Sequence, residues 1–473
     1  MSETFLHGVE VVNIDGGSRP ISTVRSSVIG IVGTAPDADA TAFPLDTPVL
    51  VANSRTLAAK LDTTGNGLGT LPAAMDSIFD QAGAVVVVIR VEKEATDPET
   101  LANVIGGVDS NTGQYLGMQA LLAAKAITGQ QPRILIAPGF THQRVTGGVI
   151  ALAGANGSGY TDGVYIINAT GGTGGSGAQA RITITGGAIS KREITHSGSG
   201  YTAAPTFTLT GAGAGTGATI TATIGTAGNA VVAEMIGIAE RLRAVIFADG
   251  PNTTDAAAIA YAGDFGSKRV YVIDPQVVKS EDGALVNQYA SAGAAGIQAR
   301  IDNELGFWWS PSNQLFNGIV GTARAIDFAL DDPNSRANLL NEANVATIVR
   351  EDGYRLWGNR TLSDDPKWQF LCVVRSADII NDSILRAHRW AVDRGITKNY
   401  VIEVVEGVNA YLRQLVALGA ILGGKCWADA DLNTAENIAN GHVYFDFDFT
   451  PVYPAEHITF RSHLVNDYIK EVF

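Results

Sequence analysis

Apolar residues in the first half of the chain fall in short unbroken runs, with helix-like stretches between them. The runs at 28–32, 84–91, 133–137, 244–248 and 269–273 are β-rich and lack polar alternation, which predicts strands buried on both faces. Residues 115–127 and 231–243 carry helical spacing. Buried strands alternating with helices predict a mostly parallel sheet covered on both sides, an α/β domain built from residues 26–144 and 231–348.

The segment 145–230 breaks that rhythm. It is rich in glycine, and its charges are Asp162, Arg181, Lys191, Arg192 and Glu193. Gly157-Ser158-Gly159-Tyr160-Thr161 returns as Gly198-Ser199-Gly200-Tyr201-Thr202, an offset of about 40 residues. Alternation in Thr206-Phe207-Thr208-Leu209-Thr210 between glycine turns predicts a small β domain of two similar units. Because the α/β pattern resumes at Val231, this domain reads as an insertion into a loop, where added chain costs little.

Residues 349–465 form a third, α+β region. Val401, Val405, Val408, Leu412 and Leu415 make one helical stripe, and a second helix is expected at 376–394. In Phe445-Asp446-Phe447-Asp448-Phe449 a period of two puts the phenylalanines on one face and the aspartates on the other. Pro451 and Pro454 end that strand, and 458–464 is the expected hairpin partner. Near the other end, Val9-Glu10-Val11-Val12-Asn13-Ile14 reads as a strand cut off by Asp15-Gly16-Gly17. Such a strand either closes its own chain's sheet or docks on a neighbour.

Many of the 54 glycines are concentrated in the insertion, while 46% hydrophobic and 17% charged residues describe an ordinary globular chain. Lys plus Arg is 33 against 47 for Asp plus Glu, a net charge of −14, the wrong sign for neutralising nucleic-acid phosphates. The first seven residues carry no Lys or Arg, and no apolar run is long enough to span a bilayer, so no membrane partner is expected. Cys372 and Cys426 lie in apolar surroundings and read as buried thiols.

The α/β pattern raises the question of catalysis. Gly172, Gly174 and Gly177 have dinucleotide-loop spacing but precede the strand-like Ile182-Thr183-Ile184 instead of a helix. There is no phosphate loop, no Gly-x-Ser-x-Gly elbow and no histidine pair at metal-binding spacing. Asp446 and Asp448 could hold a hard cation, but adjacent strand carboxylates more often face solvent or a basic partner. No catalytic residue, cofactor or metal is expected.

Several segments together resemble the tail sheath proteins of contractile bacteriophages, particularly the P2-like branch. They include His7-Gly8-Val9-Glu10-Val11, Ser18-Arg19-Pro20-Ile21-Ser22-Thr23-Val24, Pro132-Arg133-Ile134-Leu135, Tyr354-Arg355-Leu356-Trp357-Gly358-Asn359-Arg360-Thr361, Ser363-Asp364-Asp365-Pro366, Trp390-Ala391-Val392-Asp393 and the 445–451 strand. The resemblance spans the chain except the insertion, which typical members of that branch lack.

It implies a middle domain similar in fold to subtilisins but without their triad, and a C-terminal domain lining the inside of a sheath. It also implies exchanged terminal strands. Residues 1–25, with Val9 to Ile14 as the donated strand, would form one arm, 466–473 the second, and Phe445 to Phe449 the receiving sheet. The implied function is a structural subunit that polymerises with itself around a tail tube, with baseplate and tail terminator proteins as further partners. It would be assembled in the host cytoplasm, reside in the virion, and contract to drive the tube through the host envelope. Arg386 and Arg389 are the candidate tube contacts. The insertion would decorate the outside. The rival readings are the sheath of a headless phage-tail-like particle, a subtilisin-like hydrolase, and a carbohydrate-binding adhesin suggested by the Gly-Ser-Gly-Tyr-Thr units.

Overall fold

The computed structural model describes residues 20–466 except 110 and 282. The apolar runs form the middle of a nine-stranded sheet, in the order Gln314–Leu315, Tyr354–Trp357, Val345–Arg350, Val270–Ile273, Val245–Asp249, Ile134–Ile136, Val28–Thr34, Val85–Val91, Val49–Ala52. From Val345–Arg350 to Val85–Val91 neighbouring strands are parallel, and antiparallel strands finish both edges. Every residue of Val28–Thr34 is buried because helices cover both faces. Leu71–Phe79 and Ala290–Glu304 pack on one side, and Ala230–Leu242 and Asp255–Ala262 on the other. Ala290–Glu304 lies against its neighbour so closely that a Cβ on Gly296 would stand 2.8 Å from the Ile78 carbonyl oxygen. The sheet continues through Tyr354–Trp357, past the limit of 348 expected for the α/β part.

The inserted segment is an antiparallel sheet of six strands, from Val145–Ala153 to Thr221–Ala227, with its own core around Ile167, Ile182 and Phe207. Its two repeated units are exchanged. The Tyr160 hydroxyl accepts from the Ala218 amide at 3.2 Å, and the Tyr201 hydroxyl from the Ala178 amide at 3.2 Å. Gly215 and Gly175 lie against the respective rings, where a Cβ would come within 2.4 Å. Each unit's tyrosine loop therefore sits on the other unit's glycine-rich strand. The ends of the insertion come together, since Val145 pairs with Ala227.

The last part of the chain holds helices Leu371–Ala387 and Lys398–Ala417 and an antiparallel pair, Ile421–Ala428 with Phe445–Pro451. Val408, Leu412 and Leu415 of the expected stripe are buried, with Val404 and Tyr411 beside them, while Val401 and Val405 are half-buried. The helix expected at 376–394 ends at Ala387, where His388–Ala391 tightens into a 3₁₀ turn. The hairpin partner is also different from expectation. Gly419, with φ of +75°, reverses the chain after Lys398–Ala417, so Ile421–Ala428 takes the place expected for 458–464. The latter residues form no strand within this chain.

Candidate assembly interface

The pair Ile421–Ala428 and Phe445–Pro451 is a sheet of two strands lying on two helices. Phe445, Phe447 and Phe449 are half-buried against the core of Tyr411, Leu412 and Ile380, and the last two rings stack at 12° with centroids 6.3 Å apart. Asp446 and Asp448 point the other way, and Asp448 accepts from the Lys425 amide at 2.9 Å. Asp429 lies beside Asp446, and the contact between the two carboxyls pushes Asp446 above the usual carboxylate range. Asn409 bonds both backbone groups of Cys426, at 2.8 and 3.0 Å, and so partly closes the outer edge of that strand. Among the described residues no hydrogen bond closes the outer edge of Phe445–Pro451. Next to it opens a cavity of about 950 Å³ lined by Leu385, Val392, Tyr400, Val404, Phe445 and Phe447.

Both described chain ends lie at this part of the molecule. Ile21 is buried among the same helices, Thr23 meets the Tyr411 hydroxyl at 3.1 Å, and the Val24 amide donates to Ser383 at 3.0 Å. Residues 20–25, included in the expected N-terminal arm, are thus packed on their own chain. The strand expected from Val9 to Ile14 lies outside the described residues, as does 467–473 of the second arm. At the other end, Glu456 takes two bonds from Arg360, at 2.8 and 2.5 Å. From His457 to Asn466 every residue is exposed, Phe460 by 92%.

Helix Leu371–Ala387 carries a buried row of charges. Arg375 pairs with Asp302, Asp378 with Arg269, and Asp382 with Arg133, and Arg269 also reaches Glu240 at 3.0 Å. Burial pushes the Asp378 carboxyl up, against the pull of Arg269. Arg386 joins the end of this row, 3.1 Å from Asp382 and 2.6 Å from Gln131. Arg389 is exposed in the following turn. The two candidate tube contacts therefore differ, one held inward and one free on the surface.

A serine-carboxylate contact that the sequence did not announce lies inside the large sheet. The Ser291 hydroxyl is 2.6 Å from Asp249, whose other oxygen accepts from the Ser291 amide at 2.8 Å. Thr141, Asp249 and Ser291 are all buried, so the arrangement clamps the start of a helix away from solvent. Among the described residues no cluster of His, Cys, Asp and Glu could hold a metal, and no helix is long and apolar enough to cross a membrane.

Three family profiles match the chain: tail sheath protein Gp18 domain III N-terminal region at 26–91, phage tail sheath protein central domain at 208–362, and phage tail sheath C-terminal domain at 363–464. The tail sheath protein of Escherichia phage P2 is 33% identical over 475 residues, covering 98% of this chain and 97% of its own length. This chain belongs to the phage tail sheath family. A prophage protein of Pseudomonas aeruginosa (strain UCBPP-PA14), described as a major tail sheath protein, is 39% identical over 473 residues, with 99% of each chain covered. The fold of this sheath chain is also that of an extracellular contractile injection system sheath in the contracted state, with a TM-score of 0.58 at 15% identity, over 99% of this chain and 100% of the other. The contracted helical sheath of the anti-feeding prophage gives a TM-score of 0.57 at 16% identity, over 98% of this chain and 100% of the other.

Proposed function

We propose that the chain is the repeating unit of a contractile tail sheath that polymerises around a tail tube and shortens to drive the tube through a host envelope. The end-to-end kinship with the phage P2 tail sheath protein carries this reading. The parallel middle sheet is the part we read as subtilisin-like in fold, and the sheath's work there is mechanical. Tube, baseplate and terminator proteins are the expected partners. Assembly is in the host cytoplasm, and the product is a virion component. The same physics serves a headless contractile particle.

Subunits are linked by exchanged strands. The open edge at Phe445 to Phe449 receives a segment from a neighbour, and the two terminal arms, with Val9 to Ile14 in the first and 466–473 as the second, supply such segments. Five or six backbone hydrogen bonds at roughly 0.5–1.5 kcal/mol each make a link worth several kcal/mol. A head-to-tail link that does not close on itself builds rings and helices. Rigid bodies then rotate between two packings of one lattice while the woven strands stay joined, and a stored free-energy difference replaces nucleotide hydrolysis.

The test is a chain lacking its first seventeen residues, which removes Val9 to Ile14. Full-length protein should form striated tubes in the electron microscope and the shortened protein should stay as single subunits. Normal, contraction-competent sheaths from the shortened chain would end the strand-exchange reading.

A further inference from the structure

The outward face of the insertion carries apolar side chains beside cations. Alternation along Gly163–Thr170 turns Tyr165 and Ile167 to the core and Val164 and Ile166 outward, where they are 61% and 52% exposed. Across the sheet Ile166 is level with Arg181 and Glu193, and Val164 with Thr183 and Lys191. Lys191 holds Glu193 at 2.7 Å, and the exposed Arg181 has no hydrogen bond or ion pair of its own among the described residues. In a chain of net charge −14 the insertion has three cations and two anions.

Residues 327–332 show the opposite pattern. Phe328 packs inward against Trp357, with ring centroids 4.7 Å apart, and Asp327 accepts from the Arg336 amide at 3.3 Å. Held at that base, the loop presents Leu330, 79% exposed, among the exposed Asp327, Asp331 and Asp332. The Asp331 carboxyl has no hydrogen-bond or ion-pair partner among the described residues. The two arginines that bracket the loop, Arg324 and Arg336, are both taken by Asp255.

These surfaces belong to opposite ends of helix Asp255–Ala262. Asp255 at its start holds the arginines beside the loop, and Asp264, just past its end, holds Arg144 at the root of the insertion. Within one chain the two stay apart, whereas a head-to-tail repeat offers each loop the insertion of the next copy.

We propose that residues 327–332 of one copy dock on the outward face of the insertion in a second copy. Leu330 seats against Val164 and Ile166, and Asp331 pairs with Arg181. The contact rests on the sheath proposed above and belongs to its outer layer, where it reinforces tubes that the exchanged strands already build. Charge complementarity selects this occupant: an apolar centre flanked by a free cation meets one flanked by a free carboxylate, and a like-charged surface is rejected. Each contact is small, but a polymer repeats it at every subunit, so many weak contacts act together.

The experiment forms tubes from full-length protein, dilutes them and follows their number by electron microscopy, with subunit melting measured in parallel. Arg181→Glu and Asp331→Lys, each alone, should give tubes that come apart about tenfold faster than wild type, because like charges then face each other. Subunit melting should not change, since both side chains are exposed and form no ion pair within the chain. The two substitutions together should restore the wild-type lifetime. Independently, Ile166→Cys combined with Leu330→Cys, oxidised in preformed tubes, should give a ladder of linked subunits on a denaturing gel that neither single-cysteine protein gives. Wild-type lifetimes from both charge variants, or double-cysteine tubes without a ladder, overturn the contact and leave that face to a partner outside the sheath. Wild-type protein that forms no tubes overturns the sheath reading and the contact with it.

Discussion

A carboxylate can serve the same sheet very differently depending on where the chain puts it, as Asp249 and Asp255 show. Asp255 sits at a helix start and pairs with Arg336 and Arg324, which hold its carboxyl below the usual range. Asp249 ends a central strand, takes its bonds from Ser291 and Thr141, and forms no ion pair among the described residues. Burial pushes it up to about 6 from an ordinary 3.8. The folded chain therefore keeps this proton between about pH 4 and 6, where the unfolded chain has already lost it. The group's contribution to stability is greatest below pH 4 and falls as pH rises to about 6, by about 3 kcal/mol for two units of pKa. Asp249→Asn removes the titration, so the melting advantage of wild type over the variant should be larger at pH 4 than at pH 7. A constant difference across that range would exclude this role for Asp249.

Among the elements, helix Leu371–Ala387 shows how far the sequence could be read. Its apolar spacing marked a helix, but an amphipathic pattern gives the period and not the identity of the covering surface. Its polar face is not solvated. Arg375, Asp378 and Asp382 are buried against Asp302, Arg269 and Arg133, residues distant in the chain. Buried pairs of this kind fix orientation more than they add stability, because desolvation offsets the attraction. For the same reason Arg386 and Arg389 looked alike in the sequence and differ in the fold. Arg386→Glu puts a carboxylate beside Asp382 and should lower the melting temperature of the isolated subunit. Arg389→Glu should leave the subunit's melting unchanged and reduce assembly around the tube. The check is melting together with micrographs of sheath formed with tube protein, and unimpaired sheathed tubes from Arg389→Glu would remove it as a tube contact. Residues 458–464, expected as the hairpin partner of Phe445–Pro451, form no strand within the chain. Pairing depends on which strand reaches the sheet first, and the turn at Gly419 gives that place to Ile421–Ala428.

For the whole molecule, the insertion is the part that physical separation best describes. Its core is its own, and its units hold each other through Tyr160 and Tyr201, so neither is complete without the other. The join to the large sheet is narrow. Val145 pairs with Ala227, Arg144 grips Asp264 through bonds of 2.7 and 2.6 Å, and Asn229 caps the next helix while donating to Phe140 and Gln143. Arg144 and Asn229 lie outside the stretch 146–226 and remain when that stretch is removed. Replacing 146–226 by a short glycine-serine linker should therefore leave the helix start, the parallel sheet and the terminal hairpin intact, since a loop closed at fixed ends costs only about 0.6 kcal/mol per doubling of length. Removing 188–227 alone should instead leave Tyr160 without Gly215 and Ala218, exposing apolar surface and causing aggregation. If the insertion decorates the outside of the sheath, the full deletion forms tubes that contract as the wild type does, judged by tube length and width before and after triggering. Failure of a monomeric, normally melting deletion protein to polymerise would place the insertion between subunits instead.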